Sequence, residues 1–231
     1  MIVDIVIPAY NEEQSIGLVL QEINHPWVRH VIVVNNNSRD QTPAVAERGG
    51  AVVLHENRQG YGYACLKGIE WSNQQEVKAE IILFMDADHS DYPEEMSLLL
   101  EPIAKGEADM VIGARNAEGR EKGSMTPQQV FGNWLATHMI RIIYGYRFTD
   151  LGPFRAIRRD ALNSLQMSDK TYGWTVEMQV KALKKKLRCS EVSVKYRQRI
   201  GVSKVSGTVK GTILAGYKII TTILKYSIKS I

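Results

Sequence analysis

Short runs of β-branched and aliphatic residues alternate with longer segments of helical periodicity through the first half of the chain. Residues 2–7, 31–34, 51–54, 81–85 and 109–112 read as buried strands. Between them, residues 12–23, 42–47, 61–71 and 93–104 suit helices, with Pro43 and Pro93 at first-turn positions where a missing N–H costs nothing. This alternation predicts an α/β domain with a Rossmann-like, mostly parallel central sheet flanked by helices on both faces. Beyond residue 112 the pattern changes. Residues 128–144 form a long, largely apolar helical segment, 175–186 a shorter helix ending in a basic run, 189–196 a strand, and 205 onward a helix. No linker rich in Pro, Gly or Ser divides the chain, so these later elements are expected to complete the same domain around an acceptor site.

Polar residues gather where such a sheet binds ligands. PAYNEE follows the first strand, NNNSRD the second, HENRQGYG the third and DADHSD the fourth, and ligands of open parallel sheets sit in the crevice outside the carboxyl ends of the strands. Strand ends need polar turns in any protein; that accounts for each loop singly, but poorly for aspartates and asparagines at all of them. Asp86 and Asp88, with Ala87 between them, close the apolar run IILFM. Alternate residues at a strand terminus reach a shared ligand, and two carboxylates in an apolar setting repel unless a cation lies between them. A divalent ion bridging them to a diphosphate removes the conflict, and all-oxygen ligation favours Mg2+ or Mn2+ over zinc. A dinucleotide-binding oxidoreductase is disfavoured at the first turn, which needs Gly-x-Gly-x-x-Gly and here reads Pro8-Ala9-Tyr10-Asn11-Glu12-Glu13. The same turn lacks the basic Gly-rich loop of a nucleotidyltransferase.

Composition narrows the setting. With 231 residues, 44% hydrophobic and 23% charged, the chain suits one generous globular domain. Its net charge of +4 hides an asymmetry: eight of the 29 basic residues follow Glu191, where there is no acidic residue, and the preceding part carries a net charge of −4. A basic end suggests an anionic partner, phosphate ligand or membrane headgroup, with a solvated surface as the plain alternative. No recognition module for nucleic acid is interleaved with these residues. Cys65 and Cys189 are too few for a disulfide framework or a zinc site, which fits a reducing cytosol. MIVDIVIPAY reads as a strand rather than a signal peptide, and the most apolar stretch, 211–231, is interrupted by Lys218, Lys225 and Lys229, so no membrane-spanning helix is expected. In the final helix these lysines and Lys210 fall near one face, with Ile213, Leu214, Ile220, Ile223 and Leu224 largely elsewhere. Such a helix suits a headgroup layer or packing on its own domain. The expected location is cytoplasmic, peripheral on the inner face of the membrane through residues 207–231, with the apolar segment 131–144 adding to that surface.

In order along the chain, IVIPAYNEEQSI, VVNNNSRDQT, FMDADHSDYPEE, Gly113-Ala114-Arg115, TDLGPFRAIRRDAL and RIGVSK resemble the inverting glycosyltransferases of the GT-A fold, glycosyltransferase family 2, related to dolichol-phosphate mannose synthase and bacterial polyprenyl-phosphate glycosyltransferases. The resemblance runs from Ile2 to about Lys204. It implies a GT-A domain over residues 1–204, with a nucleotide-sugar half (1–115) and an acceptor half (116–204), followed by an amphipathic helix over 205–231. It further implies metal-dependent inverting transfer of a sugar from a UDP- or GDP-linked donor to an acceptor, foremost a polyprenyl or dolichyl phosphate. A hydroxyl acceptor, or a catalytically silent nucleotide-sugar-binding protein, is the alternative. Residue by residue, Pro8, Tyr10 and Glu12 would line the nucleotide pocket, and Asn35 and Asn36 would face the base or ribose. Asp86 and Asp88 would hold Mg2+ or Mn2+, with Ala87 and Ser90 beside the ligand; Arg115, Arg199 and Lys204 would meet phosphate oxygens.

One departure stands out. The second-strand motif of such proteins usually reads Asp-Asp-Gly-Ser, and here it is Asn35-Asn36-Asn37-Ser38. Asn37 substitutes for glycine because asparagine tolerates left-handed backbone angles. Loss of two carboxylates leaves the donor open, since an amide offers no charged acceptor to a base N–H or a ribose hydroxyl. Asp40 either supplies a carboxylate nearby or caps the helix before Pro43. A lipid phosphate is largely ionised at pH 7 and needs no strong base, whereas a hydroxyl acceptor needs one within hydrogen-bond reach. Catalytic candidates are Asp88, Asp150 and Glu177; the last two read equally as buried carboxylates paired with Arg155 or Arg158.

Overall fold

Strands that are apolar on both faces must be covered on both sides, and the computed structural model, which describes residues 1–203 and 209–228, meets that demand. Its elements are β1 (Val3–Ala9), α1 (Ile16–Glu22), β2 (Val28–Asn35), α2 (Thr42–Arg48), β3 (Val52–His55), α3 (Tyr61–Gln74), β4 (Ile81–Phe84), α4 (Met96–Ala104), β5 (Met110–Ala114), α5 (Pro127–Tyr144), β6 (Arg155–Arg158), α6 (Arg159–Leu165), α7 (Trp174–Lys184), β7 (Cys189–Ser193) and α8 (Val209–Ile228). The strands make one sheet in the order β3-β2-β1-β4-β6-β5-β7. Alternation sends Val6, Ile32, Val34, Ile82 and Phe84 into a core with α3, α5, α7 and α8. The intervening residues, Ile5, Ile7, Val33, Ile81 and Leu83, enter a second core under α1, α2 and α4.

Six strands run parallel and β6 alone runs against both neighbours. Reversal matters for the site: Arg155, the first residue of β6, pairs with Phe84 and Ile112 at the carboxyl ends of β4 and β5. The loop before β6 therefore enters on the ligand side. Neither β6 nor α6 was expected from the apolar pattern, because the strand reads RAIR; Arg155 is nonetheless fully buried, its guanidinium donating to the carbonyls of Leu151, Gly152 and Thr175. Helix α1 begins four residues later than periodicity predicts. Residues 10–15 are drawn into the cleft loop, where the Glu12 amide donates to Thr42 Oγ1 at 2.8 Å.

The final helix packs on the domain. Ile223 and Tyr226 are buried against α5 and α7, and Tyr144 Oη donates to the Ile223 carbonyl at 2.7 Å. Its other face leaves Ile213, Leu214, Tyr217, Leu224 and Ile228 exposed, and on α5 Phe131 and Trp134 are exposed as well. Among the described residues no helix is long and apolar enough to cross a membrane. Lys204 and Lys229 lie outside the described residues.

Candidate active site

Loops after β1, β2, β3 and β4 enclose a cavity of about 340 Å³ lined by Pro8, Tyr10, Glu12, Asn36, Asp86, Ala87, Asp88 and Arg199. Eight of the residues expected at the site thus share one wall. Asn35, Arg115, Asp150 and Glu177 do not line it, and Lys204 is among the residues not described. Gln59, Gly60, Tyr61, Tyr172 and Ser203 line it without having been expected.

The floor is a crowd of carboxylates. Burial and the neighbouring Asp88 charge push the Asp86 carboxyl up to about 7, against the opposing pull of Arg199, the Tyr61 hydroxyl 3.2 Å away and Arg115. Asp91, the last residue of DADHSD, is buried too, and burial together with Asp86 and Asp88 raises its pKa well above the usual carboxylate range. One oxygen of Asp91 accepts from the Asp86 amide at 3.2 Å, and the other has no hydrogen-bond donor. Asp88 accepts from the Ser90 amide at 3.0 Å and from the Ser90 hydroxyl. Its second oxygen meets Arg199 Nη1 at 3.0 Å, while Arg199 Nη2 holds Glu12 Oε1 at the same distance. An orphaned buried carboxylate oxygen beside two crowded neighbours is a set of groups whose charge and hydrogen-bonding capacity a divalent cation would fit. No closed cage of three or more acidic, histidine or cysteine ligands forms among the described residues. That suits a hard divalent ion held by one or two carboxylates and completed by phosphate oxygens and water.

Backbone pairing sets the register of this floor. The amides of Arg197 and Ile200 donate to the carbonyls of Ser90 and Asp88, each at 3.0 Å, so residues 197–200 lie alongside DADHSD. Asn11 and His89 hold positive φ of 54° and 64°, left-handed backbone that asparagine and histidine adopt more readily than most non-glycine residues.

The asparagines after β2 are fully engaged. Asn36 Nδ2 donates to the carbonyls of Glu56 (3.0 Å) and Arg58 (2.7 Å), and its Oδ1 accepts from the Gly60 amide at 2.8 Å. A carboxylate has no proton to offer either carbonyl, so the amide here is required by the loop it fastens. Asn35 Oδ1 accepts from the Ser38 amide at 3.0 Å, and its Nδ2 lies 3.1 Å from His55 Nδ1. Asn37 takes the left-handed conformation expected of it, with φ 72°. Asp40 is not the N-cap of α2, which is Gln41; from one residue earlier it accepts from the Thr42 amide at 3.0 Å and ties in the Glu13 amide at 3.3 Å.

Three expectations need revision. Asp150 pairs with neither Arg155 nor Arg158: it accepts from Arg115 Nε and Nη2, both at 2.7 Å, and from the amides of Arg115 and Leu151. Although burial works the other way, these contacts lower its pKa. Glu177 meets Lys181 Nζ at 2.9 Å and accepts from Tyr226 Oη, Ser168 Oγ and the Asp169 amide. Against the effect of burial, they hold its carboxyl down to about 2. Both carboxylates fasten loops and have no free oxygen turned to the cleft. Arg115 pairs with Asp150 and lies over the Tyr196 ring at 5.0 Å, outside the residues that line the cavity. Tyr61 and Asp91 were legible in part, since each belongs to a polar cluster already placed at the cleft; Tyr172 comes from the α6–α7 loop and carried no signal.

Comparison with known proteins agrees with this geometry. The family model described as Glycosyl transferase family 2 matches residues 4–166. Polyprenol monophosphomannose synthase of Mycolicibacterium smegmatis is 30% identical over 218 residues, covering 88% of this chain and 81% of the relative. Undecaprenyl-phosphate mannosyltransferase of Micrococcus luteus is 31% identical over 218 residues, covering 89% and 88%. Among solved structures, glucosyl-3-phosphoglycerate synthase from Mycobacterium tuberculosis, in complex with Mn2+, uridine diphosphate and phosphoglyceric acid, superposes with a TM-score of 0.78 at 20% identity, covering 98% of this chain and 78% of that one. The overlap establishes a shared GT-A fold.

Proposed function

Because this chain belongs to glycosyl transferase family 2, we propose that it transfers a sugar, with inversion, from a nucleoside-diphosphate donor seated in the cleft to a polyprenyl phosphate. The observation that carries the reading is a crowd of buried carboxylates, with Asp86 and Asp88 lining the cavity among the loops of four strands and Asp91 directly behind them, one of its oxygens without a donor among the described residues. Asp86 and Asp88 would hold Mg2+ or Mn2+, which when bound supplies positive charge to the departing diphosphate. Arg199 adds a second cation above the same floor, and Pro8, Tyr10 and Asn36 form the wall on the nucleoside side. Asp150 and Glu177 are fastened to internal donors, and the carboxylates lining the cavity among the described residues are Glu12, paired with Arg199, and Asp86 and Asp88, assigned here to the metal; this favours an acceptor already ionised at pH 7, such as a lipid phosphate. The names of the two relatives point the same way. Peripheral membrane contact is supported by exposed Phe131, Trp134 and Tyr217 together with a C-terminal tail free of acid.

Incubation with labelled UDP- and GDP-sugars, Mn2+ and undecaprenyl phosphate in detergent tests the proposal. One donor is expected to give a labelled product that partitions into organic solvent and disappears with EDTA. Label confined to water-soluble product would overturn the lipid acceptor, and metal-independent transfer would overturn the role of Asp86 and Asp88.

A further inference from the structure

We propose that Arg199 is a tethered cation that occupies Asp88 while the cleft is empty, so that metal and nucleotide binding are coupled through one side chain. This deepens the function proposed above and rests on Asp88 being a metal ligand. The guanidinium bridges Glu12 Oε1 and Asp88 Oδ2, both at 3.0 Å, and is three-quarters buried, its Nε without a hydrogen-bond partner. A divalent ion on Asp88 meets this guanidinium as a like charge in a site of low dielectric. One of them must leave. The backbone is pinned, because the Ile200 amide donates to the Asp88 carbonyl and the Arg197 amide to the Ser90 carbonyl. What moves is therefore the side chain, pivoting on Glu12, rather than the loop.

A diphosphate gives the displaced guanidinium a new acceptor, and Arg is suited to phosphate by its planar fork of donors. In the nucleotide-free protein the Arg199–Asp88 pair weakens metal binding, because it must be broken before the ion can take Asp88. In the loaded cleft, Arg199 strengthens nucleotide binding. A single residue thus acts with opposite signs on two ligands, and by linkage each ligand favours the other.

Mn2+ binding, read by the electron paramagnetic resonance of the free ion with and without UDP, tests this. Arg199→Gln should bind Mn2+ about fivefold more tightly than the unaltered protein when nucleotide is absent, and UDP about tenfold more weakly at saturating Mn2+. Arg199→Lys, which keeps the charge on the pinned backbone, should show little gain in Mn2+ affinity. Lys195→Gln removes an equal charge four residues away from an exposed pair with Glu95 and should change Mn2+ binding by less than about twofold. Unchanged or weaker Mn2+ binding in Arg199→Gln, with the melting temperature intact, would overturn the coupling. So would equal tightening in Lys195→Gln, which would reduce the effect to net charge. Adding Asp88→Asn to Arg199→Gln separates the two levels: if Mn2+ still binds as tightly, the metal does not sit on Asp88 and the underlying reading of the site fails instead.

Discussion

Two groups of buried carboxylates lie within one molecule and have opposite fates. Asp86, Asp88 and Asp91 crowd the end of β4, and burial with mutual repulsion pushes Asp86 up to about 7 and Asp91 higher than usual. Asp150 and Glu177 are at least as buried, yet Asp150 is lowered and Glu177 is held down to about 2. Burial does not separate the groups; the supply of donors does. Around the single carboxylate of Glu177 stand an ammonium, two hydroxyls and backbone amides, whereas the three carboxylates of the first group divide one guanidinium, two hydroxyls and two amides among them and leave one Asp91 oxygen without a donor among the described residues. Paired carboxylates stabilise the fold, and unpaired ones keep an interaction in reserve for a ligand.

The largest test removes a member of the first group. Asp88→Asn should lower donor turnover on the order of 1,000-fold, the scale of losing a preorganised electrostatic contact to the reacting charge, while the melting temperature stays level or rises because repulsion with Asp86 is relieved. Turnover and thermal unfolding measured on one preparation check both halves. A large loss of stability would place Asp88 with the structural carboxylates and dissolve the contrast.

Glu177→Gln should invert that pattern. It leaves Lys181 buried without a counter-ion, which costs roughly 3 kcal/mol or more, seen as a lower urea midpoint, while turnover per folded molecule changes by less than about threefold. The pH dependence carries the same sign. Glu177 is depressed from its ordinary 4.5 to about 2 in the folded protein, so its contribution is fully present above pH 4.5 and is lost as pH falls through about 2. At roughly 1.4 kcal/mol per pH unit, about 3 kcal/mol should disappear across that window, and acid titration of unfolding in Glu177→Gln should be flatter there. An unchanged acid limb would mean that the carboxylate is not held as its contacts suggest.

How far these differences could be read in advance follows the same physics. The first five strands and the cleft were legible because apolar runs end in polar loops, a pattern set by burial and independent of partners. Asp86 and Asp88 were legible because charge at the end of a buried strand is costly without a ligand. Glu177 and Asp150 looked alike in the chain since each has a partner from a distant segment: Arg115 lies 35 residues from Asp150 and Tyr226 49 from Glu177. Strand β6 was hidden for a related reason, as Arg155 finds its acceptors in backbone carbonyls, which no side-chain pattern displays.

The smallest expected effect concerns Asn36, at the position where the family motif that this chain resembles usually reads aspartate. Asn36→Asp restores the usual residue and should still harm this protein. The carboxylate keeps the Gly60 amide as a donor but faces the carbonyls of Glu56 and Arg58, which the native amide satisfies. Leaving buried acceptors unpaired costs about 1–3 kcal/mol, and because Gln59 and Gly60 line the cavity, nucleotide affinity should fall with stability. Asn35→Asp next to it should be mild: its oxygen still accepts from the Ser38 amide, and a second oxygen beside His55 Nδ1 finds a donor once that nitrogen carries the proton. Urea unfolding and UDP or GDP binding of the two variants distinguish a loop fastener from a base reader. Tighter nucleotide binding by Asn36→Asp at unchanged stability would move Asn36 from the group of satisfied structural residues to the group kept open for ligand.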